Sequence, residues 1–260
     1  MSFTANDVQE GDVLLMMYDE FSAKLIALLD NGIYSHSAYY TGSEVVGVIR
    51  VGLVHQDLPG FVADEKLEYL DVYRFYGDRD DPATEMGSPD WPAAPVTKVC
   101  TDYMKSGVSY ALDDLYFYWV LILMHEAPKT PEGRKIVWYV INAMTFLIDR
   151  LDPELHKGMI CSEFLTRLFL ENSDFPKYAL EFSDTFGVAG PPDAEFEEAF
   201  AAMLKALKKV DPDLEAKIEE ARRAGVSALA PELVTPNNLR HSPSLKFMGR
   251  IKGKGSPEDT

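Results

Sequence analysis

The chain has 260 residues, 47% of them hydrophobic and 12% aromatic, enough to bury a full core as one large domain or one domain with an elaboration. A net charge of -17 and a pI near 4.6 argue against nucleic acid or a generally anionic membrane surface as partner, because phosphates would repel the chain. Basic partners or neutral substrates fit better, and Cys100 and Cys161 make neither a disulfide framework nor a metal spacing, which suits a reducing compartment.

In chain order, Gly11 to Tyr18 (GDVLLMMY) reads as a β-run, and Glu20 to Asp30 as a helix with Phe21, Leu25, Ile26 and Leu29 on one face, ended by Asn31-Gly32. From Ile33 to Leu58, two β-rich segments separated by Thr41-Gly42-Ser43 read as a hairpin, and Leu67 to Phe75 as a third strand. Charges and prolines between Gly77 and Pro95 mark a surface loop. The stretch Ala94 to Ser106 reads as a helix with Val96, Val99, Cys100 and Tyr103 on one side. Cys100 therefore reads as core, with a redox role the minor alternative.

From Asp113 to Leu151 the chain is mostly apolar helix, broken by a polar loop from His125 to Arg134. This aromatic-rich pair is core, a lid, or a lipid-facing wall, core being the commoner outcome. Its apolar runs fall short of the roughly 18 residues of a spanning helix, so no transmembrane segment is expected and peripheral membrane contact stays open. The segment Phe175 to Pro192 reads as loop. Helices over Asp193 to Val210 and Asp211 to Ala224 follow, the second with Asp211 as N-cap, Pro212 next and Gly225 as terminator. The closing segment, Leu233 to Ile251, carries a Thr-Pro turn and an edge strand. The N-terminus has no basic n-region and no apolar h-region, which gives a cytoplasmic expectation with non-classical export left open.

The stretch Gly158 to Asn172 (GMICSEFLTRLFLEN) holds the chemistry. Phe164, Leu165, Leu168 and Phe169 recur at helical spacing, so Cys161 falls at a helix N-terminus, where first-turn N–H groups and the dipole favour a thiolate. On local sequence alone the alternative is a small buried hydrophobe. Of five histidines, His125, His156 and His241 lie in polar loops. His36, in YSHSAYY, shares a strand face with Ala38 and Tyr40. A histidine aimed from a strand at a helix-borne cysteine is what a thiol enzyme needs, because the imidazole takes the thiol proton and later protonates the leaving group.

In their order, Gly11-Asp12, Ser35-His36, Gly107 to Tyr110, Cys161-Ser162-Glu163 and Thr235-Pro236 resemble the circularly permuted papain-like hydrolases of the NlpC-type superfamily, in particular the YiiX-like group. The resemblance spans roughly residues 8 to 172 and 230 to 250. It implies an α+β permuted papain-like fold, an antiparallel sheet packed against the cysteine helix, with His36 as base and Cys161 as nucleophile and no cofactor. The family places a third polar residue on the strand after the histidine strand. If Gly42-Ser43 is a two-residue turn, however, His36 opposes Ile49, and its same-face neighbours Gly47, Ile49 and Val51 are apolar. Glu44, His55 and Tyr110 remain candidates for the supporting role, and Asp113 lies three residues after Tyr110, where the family often has it adjacent.

These readings divide the chain into a catalytic core (1–190), a helical insertion (191–228), a segment returning to the core (229–251) and a disordered tail (252–260). The expected chemistry is cleavage or transfer of an ester, thioester or amide through an acyl-enzyme on Cys161. The aromatic helices lean the reading toward a lipid or acyl substrate, as in the related lecithin:retinol acyltransferase group, with Tyr34, Trp119 and Trp138 as substrate contacts. The alternatives are an amidase or peptidase acting on cell-wall-type peptides, and a non-catalytic ligand-binding module.

Overall fold

The run from Val13 to Met16 is apolar at every position, which suits a strand covered on both sides. It forms β1 (Val13–Tyr18) inside a six-stranded antiparallel sheet. The structure, a computed structural model, describes residues 3–20, 23, 24, 27, 32–49, 52–107, 109, 110, 158–182 and 234–253. Beside β1 run β2 (His36–Tyr40), β3 (Glu44–Ile49) and β4 (Gly52–Asp57). On its other side run β5 (Leu67–Phe75) and β8 (Leu245–Lys252), giving the order β4-β3-β2-β1-β5-β8.

The β-rich stretch expected as a two-strand hairpin is three strands. Its second half folds back on itself, pairing Ile49 with Gly52, and Gly52 takes a positive φ of 104° that side-chain-bearing residues rarely adopt. The first turn has the register that a Gly42-Ser43 turn requires, with Tyr39 opposite Val46 and Tyr40 opposite Val45. The closing strand lies at the sheet edge, as its sequence suggests, and runs on to Lys252, one residue into the stretch expected as tail.

The two faces bury different sets of residues. Val13, Leu15, Tyr39, Val46, Val48, Tyr73 and Phe75 pack against α2 (Ala94–Ser106) and α3 (Cys161–Leu170). Leu14, Met16, Ala38, Val45, Leu70 and Val72 point the other way, where α1 (Leu58–Val62) and the N-terminal segment cover them through Leu58, Phe61, Phe3 and Val8. On α3, Phe164, Leu165, Leu168 and Phe169 are fully buried, each contributing roughly 1.5–3 kcal/mol by removal from water. That apolar side fixes the helix on β2 and β3 and thereby places its first residue, Cys161.

Two buried charge networks brace the frame. Arg74 donates through Nε to Asp12 Oδ1 at 2.7 Å, through a terminal nitrogen to Asp12 Oδ2 at 2.9 Å, and to Glu85 Oε1 at 2.7 Å. Arg250 of β8 pairs with Asp71 of β5 at 2.6 and 2.8 Å. A short segment, α4 (Pro236–His241), is capped by Thr235 Oγ1, which accepts from Asn238 N at 2.9 Å. Finally, β6 (Ser109–Tyr110) pairs in parallel with β7 (Gly158–Met159), immediately before α3.

Of the helix expected over 20–30, positions 23, 24 and 27 are described and helical. The apolar helices expected over 113–151 and the helical pair over 193–224 lie outside the described residues. Among the described residues, no helix is long and apolar enough to cross a membrane.

Candidate active site

Cys161 is the first residue of α3, and the preceding Ile160 has no side-chain oxygen to cap the helix. Glu163 instead reaches back to Ile160 N at 3.4 Å and is held by Arg167 Nε at 2.8 Å, so the carboxylate on this turn is engaged away from the sulfur. Ser162 Oγ donates to the Val234 carbonyl at 2.6 Å, tying the start of the helix to the returning segment. The helix therefore presents first-turn N–H groups beside the cysteine without a side-chain cap competing for them.

On β2, N–H directions alternate. Tyr40 N donates to Asp12 O at 2.9 Å, toward β1. By that alternation the backbone of Ser37 faces β3. Yet the β2–β3 ladder holds only at Tyr39 and Tyr40. Beyond them the ladder stops, although β3 stays close, a Cβ on Gly47 standing 3.5 Å from the Ser37 carbonyl oxygen.

The register also refines the expected geometry. His36 stands opposite Met16, whose side chain belongs to the face away from α3, whereas Ser37 stands opposite Leu15 on the α3 face. Alternation alone would direct His36 away from the cysteine. His36, the first residue of β2, nonetheless favours the ionised thiol. The ring lies beside Gly47 of β3, where a Cβ would stand 3.5 Å from His36 Nε2 and 3.3 Å from Ala38 Cβ. Tyr18 closes its other side edge-on, with ring centroids 6.2 Å apart.

Burial pushes the Cys161 thiol up, but the charge and hydrogen bond of His36, followed by the side chain and backbone of Ser37, outweigh it, and the net shift is downward. Cys100, equally a free buried cysteine, has no such partners, and burial alone drives it up to about 12. Two thiols in one core thus move in opposite directions, and the difference is the His36 and Ser37 environment.

Of the expected site residues, His36 is the one that bears on Cys161, lowering its pKa. No family model matches the chain, and no curated protein matches it either. The remaining expected residues are dispersed. His55 Nδ1 and Glu44 Oε1 bond to each other at 2.9 Å, both partly exposed, on β4 and β3. Tyr34 is fully buried in the core, its hydroxyl donating to Asp71 Oδ2 at 2.6 Å and meeting Tyr73 OH at 3.0 Å, which leaves it no surface for a substrate. Tyr110 lies on β6, with its backbone paired to Met159 two residues before the cysteine. Trp119 and Trp138 lie outside the described residues. Among the described residues, no carboxylate or amide side chain bonds to His36, and no cluster of His, Cys, Asp and Glu could hold a metal ion.

Sequence reasoning placed Gly47 on the His36 face without seeing its closeness to the ring, and missed Ser37. A lone glycine inside a strand is a signal of close approach by another group, and it marked Gly47. Nothing local marked Ser37, because its place against α3 is set by tertiary packing.

Proposed function

We propose that this protein is a thiol hydrolase or acyltransferase of permuted papain-like fold, akin to the YiiX-like group, with Cys161 as nucleophile and His36 as its base. The observation that carries this reading is a buried thiol whose ionisation is favoured by an imidazole, while the other cysteine of the same core is strongly disfavoured.

In the first half-reaction the sulfur attacks a carbonyl carbon, and the proton taken by His36 passes to the departing alkoxide, thiolate or amine. N–H groups of the first turn of α3 meet the oxyanion. In the second half, His36 takes a proton from water or an acceptor hydroxyl, which attacks the thioester and releases Cys161. The aromatic, apolar sequence of residues 115–148 favours a lipid or acyl substrate, since an acyl chain asks only for apolar area at about 25 cal/mol per Å², whereas a peptide needs its amides matched.

A second reading, a binding module of the same fold, draws on one observation. Among the described residues, His36 has an aromatic edge and a glycine beside it but no side-chain acceptor to orient it.

The deciding experiment incubates the protein with mixed phospholipid micelles and, separately, with short cell-wall-type peptides, against Cys161→Ala. Released fatty acid, or an acyl adduct on Cys161 by intact mass, supports the acyl reading. Peptide cleavage with inert lipids assigns the amidase, and silence on both assigns the binding module.

A further inference from the structure

The Ser37 hydroxyl is fully buried and makes no hydrogen bond of ordinary geometry. A buried hydroxyl without a partner is costly, so it is uncommon unless something other than resting stability selects it. Its neighbours explain the placement. Ser37 lies on the α3 face of β2, opposite Leu15, at the position where the β2–β3 ladder has already opened. Its side chain and its backbone both favour the ionised form of Cys161, the first residue of the helix that packs on that face. The contact of the hydroxyl with a neutral thiol is loose, and a thiol is a weak acceptor. An ionised sulfur is a strong one, and charge-assisted bonds are about twice as strong as neutral ones.

We propose that Ser37 is a positioning residue for the nucleophile: the end of β2, past its ladder with β3, presents the Ser37 N–H and Oγ–H as two donors that hold Cys161 as a thiolate facing His36. The serine is thus left unpartnered in the resting thiol form and satisfied when the proton moves to the imidazole. The proton leaves sulfur for an imidazole nitrogen, the negative charge stays on sulfur, and no other reactant is involved. Ser35, on the far side of the histidine, has a different task. Its Oγ donates to the Met16 carbonyl and accepts from Tyr18 N, both at 3.4 Å, which fastens the start of β2 to β1. The two serines flanking His36 therefore divide the work, one holding the strand and the other the sulfur. Among the described residues, His36 on β2 is the titratable group that acts on the thiol. Glu163, on the helix itself, is turned to Ile160 N and Arg167.

This inference rests on Cys161 being the nucleophile of the proposed reaction, but its test needs no substrate. The rate of iodoacetamide alkylation at the Cys161 peptide is read by mass spectrometry across pH, for wild type, Ser37→Ala and Ser37→Thr, with a thermal melt of each. Ser37→Ala should melt no lower than wild type, since it deletes an unpartnered hydroxyl. It should nevertheless alkylate about ten-fold more slowly at neutral pH, with its midpoint moved upward. Ser37→Thr keeps the hydroxyl and should recover the wild-type midpoint. An unchanged midpoint in Ser37→Ala overturns the inference even if wild type turns over substrate. A shifted midpoint upholds it even if no substrate is turned over, in which case the proposed reaction falls instead.

Discussion

The sharpest consequence of the site is a large difference in reactivity between two cysteines of the same core. At pH 7 a thiol with pKa of about 12, the value to which burial drives Cys100, is ionised in about one molecule in 100,000. Cys161 lies below the ordinary 9.0, so at least about one molecule in a hundred is thiolate. Ionisation alone therefore favours Cys161 by about a thousand-fold or more, and its exposure of 9% against 0% for Cys100 works in the same direction. Because the Cys161 value is depressed, its labelling curve should rise with pH through a midpoint below 9 and flatten above it. His36→Ala removes the largest of the influences that oppose burial and leaves those of Ser37, so the thiol should titrate higher than in the wild type. Its labelling at neutral pH should fall by about ten-fold or more. The assay is limiting iodoacetamide with peptide mass spectrometry. Equal labelling of the two cysteines, or labelling of Cys161 that His36→Ala leaves untouched, would refute the coupling of thiol and imidazole.

Other perturbations follow from the same geometry. Gly47→Ala should leave the thiol nearly as reactive, whereas the branches of Gly47→Val must enter the space of the His36 ring and should slow alkylation by about ten-fold or more. Leu168→Ala opens a cavity beneath α3 and should cost about 2–5 kcal/mol in urea unfolding, with a lower midpoint and an unchanged slope. Asp12→Ala leaves Arg74 buried without its main counter-charge and should cost about 3–5 kcal/mol. A loss under 1 kcal/mol would show that Glu85 compensates.

Much of the frame was legible in the sequence. A continuous apolar run gave β1, a β-rich stretch gave β5, helical spacing gave α2 and α3, and the two-residue turn gave the β2–β3 register. The places of Cys161 and His36 could be read, one at a helix start and the other on a strand. What could not be read was how they meet. Strict alternation sends His36 to the face away from α3 and Ser37 to the α3 face, and sequence alone does not show that both bear on the thiol. The division of the second β-segment was hidden for a related reason, since Val48 to Leu53 is β-like throughout and the reversal ends in a glycine backbone conformation. Tyr34 looked like a substrate contact because it neighbours the serine-histidine motif, but its hydroxyl serves Asp71, and that partner lies on a strand far along the chain.

The returning segment has a consequence for how the protein is made. Ser162 is tied to Val234 across a separation of 72 residues, and Asp71 to Arg250 across 179. Contacts of this span are slow to form, because long loops must close before they are rewarded. A ribosome-bound chain long enough to contain both His36 and Cys161 would still lack β8 and the clamp on α3. Activation of the thiol should thus lag behind synthesis of the residues that perform it, sparing the nascent chain a reactive sulfur until the last strand docks.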